Sequence, residues 1–158
     1  MLEKRSSFLS INISSDPVIF SVIFFIRDIF VSTETLKCTN IGELDVEDVV
    51  NIEQSLKVGD SIDGHFVFGH VDEVSTVQNI EAFDQTRILH FSLSEEGRRF
   101  VVKKGSIAIN GVSLTVNAVS DSGFQVMIIP HTLEKTSFND FKKGTRANIE
   151  YDMLARYV

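Results

Sequence analysis

From Gly64 onward, polar and apolar positions change places at short range. GHFVFGHVDEVSTV (64–77) alternates, TRILHFSL (86–93) is apolar at its centre, and GSIAINGVSLTVNAV (105–119) holds two alternating runs around Asn110-Gly111. A period of two predicts half-buried strands. Asn-Gly tolerates the positive φ angles that a type I′ turn requires, so the last stretch predicts a hairpin. Asp121-Ser122-Gly123 supplies a second turn before FQVMIIP (124–130), and RANIEYD (146–152) reads as a final strand. A short helix is expected within Thr132–Phe138. Five or six strands in about a hundred residues, with no long helical period, predict an all-β domain, either a small antiparallel barrel or a sandwich.

The chain also repeats itself. Residues 32–56 laid over 129–153, an offset of 97, align without a gap. Thr35, Leu36, Thr39, Asn51, Ile52 and Glu53 meet Thr132, Leu133, Thr136, Asn148, Ile149 and Glu150, six identities in 25 positions. Apolar character carries over at Ile41/Phe138 and Leu44/Phe141. Such self-similarity predicts a duplicated unit of domain size. If the second unit begins near Gly59, the same offset starts the first about 38 positions before Met1. NGVSLTVNAV (110–119) projects onto ISSDPVIFSV (13–22), which it does not resemble. The expectation is a divergent segment over 1–28, the tail of a first unit over 29–57, and a complete second unit over 58–158.

The run VIFSVIFFI (18–26) follows Lys4-Arg5 and Asp16-Pro17, and Arg27-Asp28 comes straight after it. Nine residues are too few to span a bilayer, and no small-residue cleavage site follows, so a buried strand, or a segment that has lost its proper context, is expected rather than a signal peptide. Hydrophobic residues make up 43% of the chain and charged residues 23%, enough apolar surface for a core. The net charge of -7, with no Lys/Arg run longer than two, argues against nucleic acid or an anionic membrane as partner. Cys38 is the single cysteine, which excludes an internal disulfide and fits a reducing cytoplasm. It reads as a small apolar residue rather than a nucleophile.

Candidate chemistry is sparse. His65 and His70 lie five apart, so an unbroken strand would put them on opposite faces, and only Asp72 shares a face with His70. Neither has partners at metal-ligand spacing, and no metal site is expected. In 112–117, Val112, Leu114 and Val116 share one face, and Ser113, Thr115 and Asn117 the other. That polar face is either a solvated exterior or a hydroxyl-lined pocket. Lys104 and Asp152 read as a solvated charge and a strand-end residue. No Gly-rich phosphate loop, G-x-S-x-G elbow or H-E-x-x-H motif occurs.

Taken together, GDSIDGHFVFGHVDEV, KKGSIAINGVSLTV, IIPHTLEKTSF and GTRANIEYDMLARYV, with STETLKCTNIG and VNIEQSL before them, resemble riboflavin synthase, a family of two tandem lumazine-binding barrels. The motifs keep family order over residues 29–158. The resemblance implies a six-stranded antiparallel Greek-key barrel. It also implies an enzyme that dismutates two 6,7-dimethyl-8-ribityllumazine molecules into riboflavin and a ribitylaminouracil, without metal or external cofactor. Rate would come from holding two rings face to face, with acid–base help. Carried onto matching positions, the resemblance implies substrate contacts from Gly69, His70, Val71, Lys104, Ser113, Leu114, Thr115 and the segment Ile129, Pro130, His131, Thr132, Leu133 and Glu134. Ser32, Thr33, Glu34, Thr35, Leu36 and Lys37 match the first barrel's pocket. His70 is the expected proton-transfer group, because imidazole titrates nearest neutral pH. Ser113, Thr115 and Asp152 would orient the ring, while His65 is read as structural and His90 has no task.

Three family features have no counterpart. These are the Met-Phe-Thr/Ser-Gly-Ile start, the first barrel's Gly-x-Cys/Ser-Leu-Thr-Val strand (Asp16-Pro17 stands in its place) and the C-terminal helix used in trimer assembly. In the family, the active site forms between the first barrel of one subunit and the second barrel of another. The alternative expectation is therefore a lumazine- or flavin-binding protein that does not pair two rings.

Overall fold

The computed structural model describes residues 31–158 apart from Val46, together with the backbone of three short strands before them. Those strands, β1 (Ile11–Ile13), β2 (Ile19–Val22) and β3 (Ile29–Phe30), form an antiparallel sheet in the order β1-β2-β3. The apolar run thus supplies β2. Whether β2 is buried, and the expectation for Asp16-Pro17, lie outside the described residues.

Six strands close into a barrel: β4 (Glu73–Phe83), β5 (Thr86–Ser92), β6 (Ser106–Ile109), β7 (Val112–Ser120), β8 (Gly123–Ile128) and β9 (Arg146–Tyr151). Their order around the barrel is β4-β5-β8-β7-β6-β9, with every pairing antiparallel. β6-β7-β8 run as a meander and β5 lies beside β8, which is a Greek-key arrangement. Asn110 (φ 46) and Gly111 (φ 79) both take left-handed angles, as the type I′ turn between β6 and β7 demands. β7 carries a bulge between Val116 and Ala118. There the Asn117 side-chain oxygen accepts the Met127 amide at 2.8 Å, so the even alternation expected through Asn117 stops at Val116.

The stretch 64–72, expected as strand, is not one. Gly64 (φ 96) and Gly69 (φ 76) turn the backbone out of the β region. The amides of Phe68 and Gly69 bond to a side-chain carboxylate, Glu150, instead of a neighbouring strand. The ladder begins only where the Asp72 amide reaches the Ile149 carbonyl at 2.7 Å. β4 in turn runs on to Phe83 by pairing with β5, and its outer half, which is largely exposed, lacks the apolar alternation by which a half-buried strand is read.

The barrel interior is filled by alternate side chains, among them Leu89, Phe91, Ile107, Ile109, Val126 and Ile149, all at most 1% exposed. Phe91 and Phe124 face each other across β5 and β8 with stacked rings 5.4 Å apart. Phe138 and Phe141, from the connection before β9, join the same core, with ring centroids 4.7 Å apart.

That connection holds helix α2 (Pro130–Lys135) and a 3-10 turn (Ser137–Asp140), with Pro130 in the first turn, where no intrahelical donor is needed. The expected helix over Thr132–Phe138 is therefore two pieces, broken at the extended Thr136. Its hydroxyl donates back to the Thr132 carbonyl at 2.6 Å and accepts the Phe138 amide at 3.3 Å. Ninety-seven positions earlier the chain does the same. Helix α1 (Thr33–Cys38) precedes a 3-10 turn over Asn40–Glu43, and the Thr39 hydroxyl donates to the Thr35 carbonyl at 2.7 Å and accepts the Ile41 amide at 3.2 Å. Val31, Leu36, Ile41, Leu44 and Val50 form a small apolar cluster at positions corresponding to Ile128, Leu133, Phe138, Phe141 and Ala147 of the barrel core. Helix α3 (Met153–Tyr157) ends the chain, capped by Asp152.

Truncating Phe91 to alanine removes a ring with no exposed surface and leaves a cavity between β5 and β8. The unfolding free energy should fall by about 3–5 kcal/mol. Urea titration of Phe91→Ala should show a lower midpoint at unchanged slope.

Candidate functional site

Glu150 lies on β9 and is 6% exposed. Its two carboxylate oxygens accept the Phe68 and Gly69 amides at 2.7 and 2.8 Å. A buried carboxylate needs such donors, and a loop crossing the barrel's outer face needs acceptors. One side chain meets both needs and fastens the 64–69 loop over β6 and β9. Phe66, Phe68 and His70 then present their rings along one side of the extended loop, with successive centroids 6.3 and 6.1 Å apart.

The loop carries His65 to β7. Its Nδ1 lies 2.7 Å from the Ser113 hydroxyl. Gly64 makes the approach possible: a Cβ there would lie 2.4 Å from the Ser113 oxygen, at a φ of +96° that side chains rarely adopt.

Around this pair opens a cavity of about 730 Å³. Four segments wall it: 49–56, 61–69, the 111–113 turn of β6–β7, and α2 with the turn after it. None of the buried apolar core side chains lines it. Two polar atoms of lining residues, His65 Nε2 and Ser137 Oγ, are buried without a hydrogen-bond partner among the described residues. Buried polar atoms are ordinarily paired, so these two are unmet hydrogen-bonding capacity within the cavity wall.

Of the residues expected at the site, Gly69, Ser113, His131 and Thr132 line this cavity. The others do not. His70 is exposed at the end of the loop, Val71 is half-buried, and Leu114 and Leu133 pack on the core. Thr115 is exposed on β7, and Lys104 sits in the turn before β6 with its amide on the Val116 carbonyl. Ile129 and Pro130 start α2, and Glu134 pairs with Lys135 at 2.7 Å, which holds its carboxyl below the usual range. Asp152 caps α3 through the Leu154 amide at 3.0 Å. Ser32, Thr33, Glu34, Thr35, Leu36 and Lys37 build α1, with the Ser32 hydroxyl accepting the Thr35 amide at 3.1 Å. Cys38 donates to Glu34 at 3.4 Å, an interaction that raises its thiol pKa and keeps it protonated.

Two contributors were not expected: His65, read as structural, and the segment 49–56. The legible signal for His65 was that both histidines follow a glycine, Gly64-His65 and Gly69-His70, so the pattern did not rank them. Among the described residues no group of three metal-ligating side chains stands together. Away from the cavity, burial pushes the Tyr151 phenol well above its ordinary pKa, and the charge of Glu73 adds to this. The ring packs against Phe100 at 5.3 Å.

The family model described as lumazine binding domain matches residues 68–152, more than half of the chain. This protein belongs to the lumazine-binding domain family. Over 127 residues it is 43% identical to a riboflavin synthase of Brucella abortus, an alignment covering 79% of this chain and 62% of that protein. Over 126 residues it is 40% identical to riboflavin synthase of Escherichia coli K12, covering 79% and 59%. The chain thus spans about three fifths of the length of the curated relatives it matches. Among solved structures, LumP complexed with riboflavin superposes with a TM-score of 0.73 at 20% identity, covering 88% of this chain and 80% of that one. LumP complexed with 6,7-dimethyl-8-(1'-D-ribityl) lumazine gives 0.70 at 20% identity, covering 87% and 79%. At that identity the likeness establishes the lumazine-binding barrel fold and nothing finer.

If the Glu150 carboxylate holds the loop, Glu150→Gln leaves one of the two amides facing an NH₂ group. A loss of about 1.5–3 kcal/mol is expected. Hydrogen exchange should quicken at the Phe68 and Gly69 amides while the β5–β8 ladder stays protected.

Proposed function

We propose that the cavity binds one 6,7-dimethyl-8-ribityllumazine, and that the chain is riboflavin synthase-like, taking part in the exchange of a four-carbon unit between two lumazines. The observation that carries this reading is the hydrogen-bonded His65–Ser113 pair in the wall of this cavity. Its volume suits a single drug-sized heteroaromatic ring. The lumazine's carbonyls and ring nitrogens match the polar atoms present, and the exposed rings of Phe66 and Phe68 offer an apolar rim. Similarity to the riboflavin synthases of Brucella abortus and Escherichia coli supports the reaction class.

In the dismutation, a proton leaves the C7 methyl of one lumazine and the resulting carbanion attacks the other ring; two C–C bonds form between the pair as the two C–N linkages that hold the four-carbon unit in the donor break, which releases the ribitylaminouracil. With Nδ1 engaged by Ser113, Nε2 is the imidazole nitrogen left to hold or move a proton at the ring. We therefore assign proton transfer to His65 with Ser113, and ring contact to Gly69, His131 and Thr132; for His70, Lys104, Thr115 and Asp152, which lie outside the cavity lining, a substrate role rests on the family resemblance alone. The same reading takes 29–57 as the closing part of a first lumazine-binding unit and 58–158 as a second.

Binding without turnover is the second reading, favoured because one cavity of this size holds one ring and the reaction needs two. Purified protein mixed with the lumazine should form riboflavin, followed by its absorbance. Saturable fluorescence quenching without riboflavin would establish the binding-only reading, and neither signal would sink both. His65→Ala and Ser113→Ala should each lower turnover by about 100- to 10,000-fold. A larger loss from His70→Ala than from His65→Ala would return the proton-transfer role to His70.

A further inference from the structure

We infer that Asn51 is a positioning residue: its carboxamide sets the spacing of three cavity walls and so governs ligand affinity without touching the reacting atoms. The nature of the ligand rests on the lumazine reading above. The carboxamide oxygen accepts the Ser137 amide at 2.8 Å, and its nitrogen donates to the Asn110 carbonyl at 2.9 Å. Asn51 thus ties its own segment both to the turn after α2 and to the β6–β7 turn that leads into Ser113. All three are cavity walls. Residues 50–57 have no regular secondary structure, and 52–57 are exposed. Among the described residues, these two are the side-chain hydrogen bonds of 49–56.

The repeat supplies a built-in control. Asn148, the counterpart of Asn51 at the 97-residue offset, accepts the Asn40 amide at 2.7 Å, and Asn40 is the counterpart of Ser137. Each repeat's asparagine therefore caps the other repeat's 3-10 turn. Asn110 sits between the two: its side-chain oxygen accepts the Asn148 amide at 2.8 Å, and its carbonyl accepts from Asn51. The two struts share the amide-to-carboxamide bond and comparable burial, and Asn51 adds the donor bond to Asn110. Only the Asn51 strut joins cavity walls, since neither Asn40 nor Asn148 lines the cavity.

The test compares Asn51→Ala, the milder Asn51→Asp and Asn148→Ala in the full chain, with circular dichroism to show folding. Asn51→Asp keeps an acceptor for Ser137 but loses the donor to Asn110. Hydrogen exchange, which needs no ligand, should quicken at Ser137 in Asn51→Ala and at Asn40 in Asn148→Ala. Affinity for 6,7-dimethyl-8-ribityllumazine, titrated by its fluorescence, should fall about tenfold or more in Asn51→Ala, less in Asn51→Asp, and under twofold in Asn148→Ala. Equal losses in Asn51→Ala and Asn148→Ala would make the role merely structural and overturn the inference. So would wild-type affinity in an Asn51→Ala protein whose Ser137 amide has lost protection. Absence of lumazine binding by the wild type would instead defeat the functional reading, and unchanged exchange at the Ser137 amide in Asn51→Ala would overturn the strut itself.

Discussion

A closed barrel of six strands has room inside for side chains and little else. Here Leu89, Phe91, Ile107, Ile109, Val126 and Ile149 occupy that space, and the Phe138 ring joins the core from the connection before β9. Any ligand must therefore sit against the outside of the barrel, in a cavity whose remaining walls come from segments that are not strands. The placement of His65, the role of 49–56 and the burial of Glu150 all follow from that constraint.

Irregular segments packed on a barrel bring unpaired backbone amides with them, and each must find an acceptor. The molecule meets this need with side chains from β9 and from the segment before the barrel. Glu150 takes the amides of Phe68 and Gly69, and Asn51 and Asn148 cap the two 3-10 turns. That segment and the barrel are thereby tied through directional polar contacts. The cavity inherits its shape from those contacts.

Much of the fold was legible in the residues. The Asn110-Gly111 hairpin, the Asp121-Ser122-Gly123 turn and strands β5 to β9 follow from local alternation and turn chemistry. Alignment at 97 residues anticipated a helix-and-turn unit that recurs with the same threonine hydroxyl bonds. Alternation failed at 64–72, where apolar residues line a loop rim instead of a strand face. Periodicity reports which residues alternate and is silent on whether a neighbouring strand is there to pair with them. It is equally silent on which histidine meets Ser113, since Gly64-His65 and Gly69-His70 look alike along the chain.

What the sequence determined alone were features decided within a few residues: strand and turn positions, the duplicated helix-turn unit, and enough motif to resemble the family. Tertiary structure decided which of those features meet. His65 reaches Ser113 across 48 positions, Phe68 reaches Glu150 across 82, and Ser137 reaches Asn51 across 86. Such partners are selected by barrel closure and by the need to satisfy buried polar groups, and neither leaves a periodic trace in the chain.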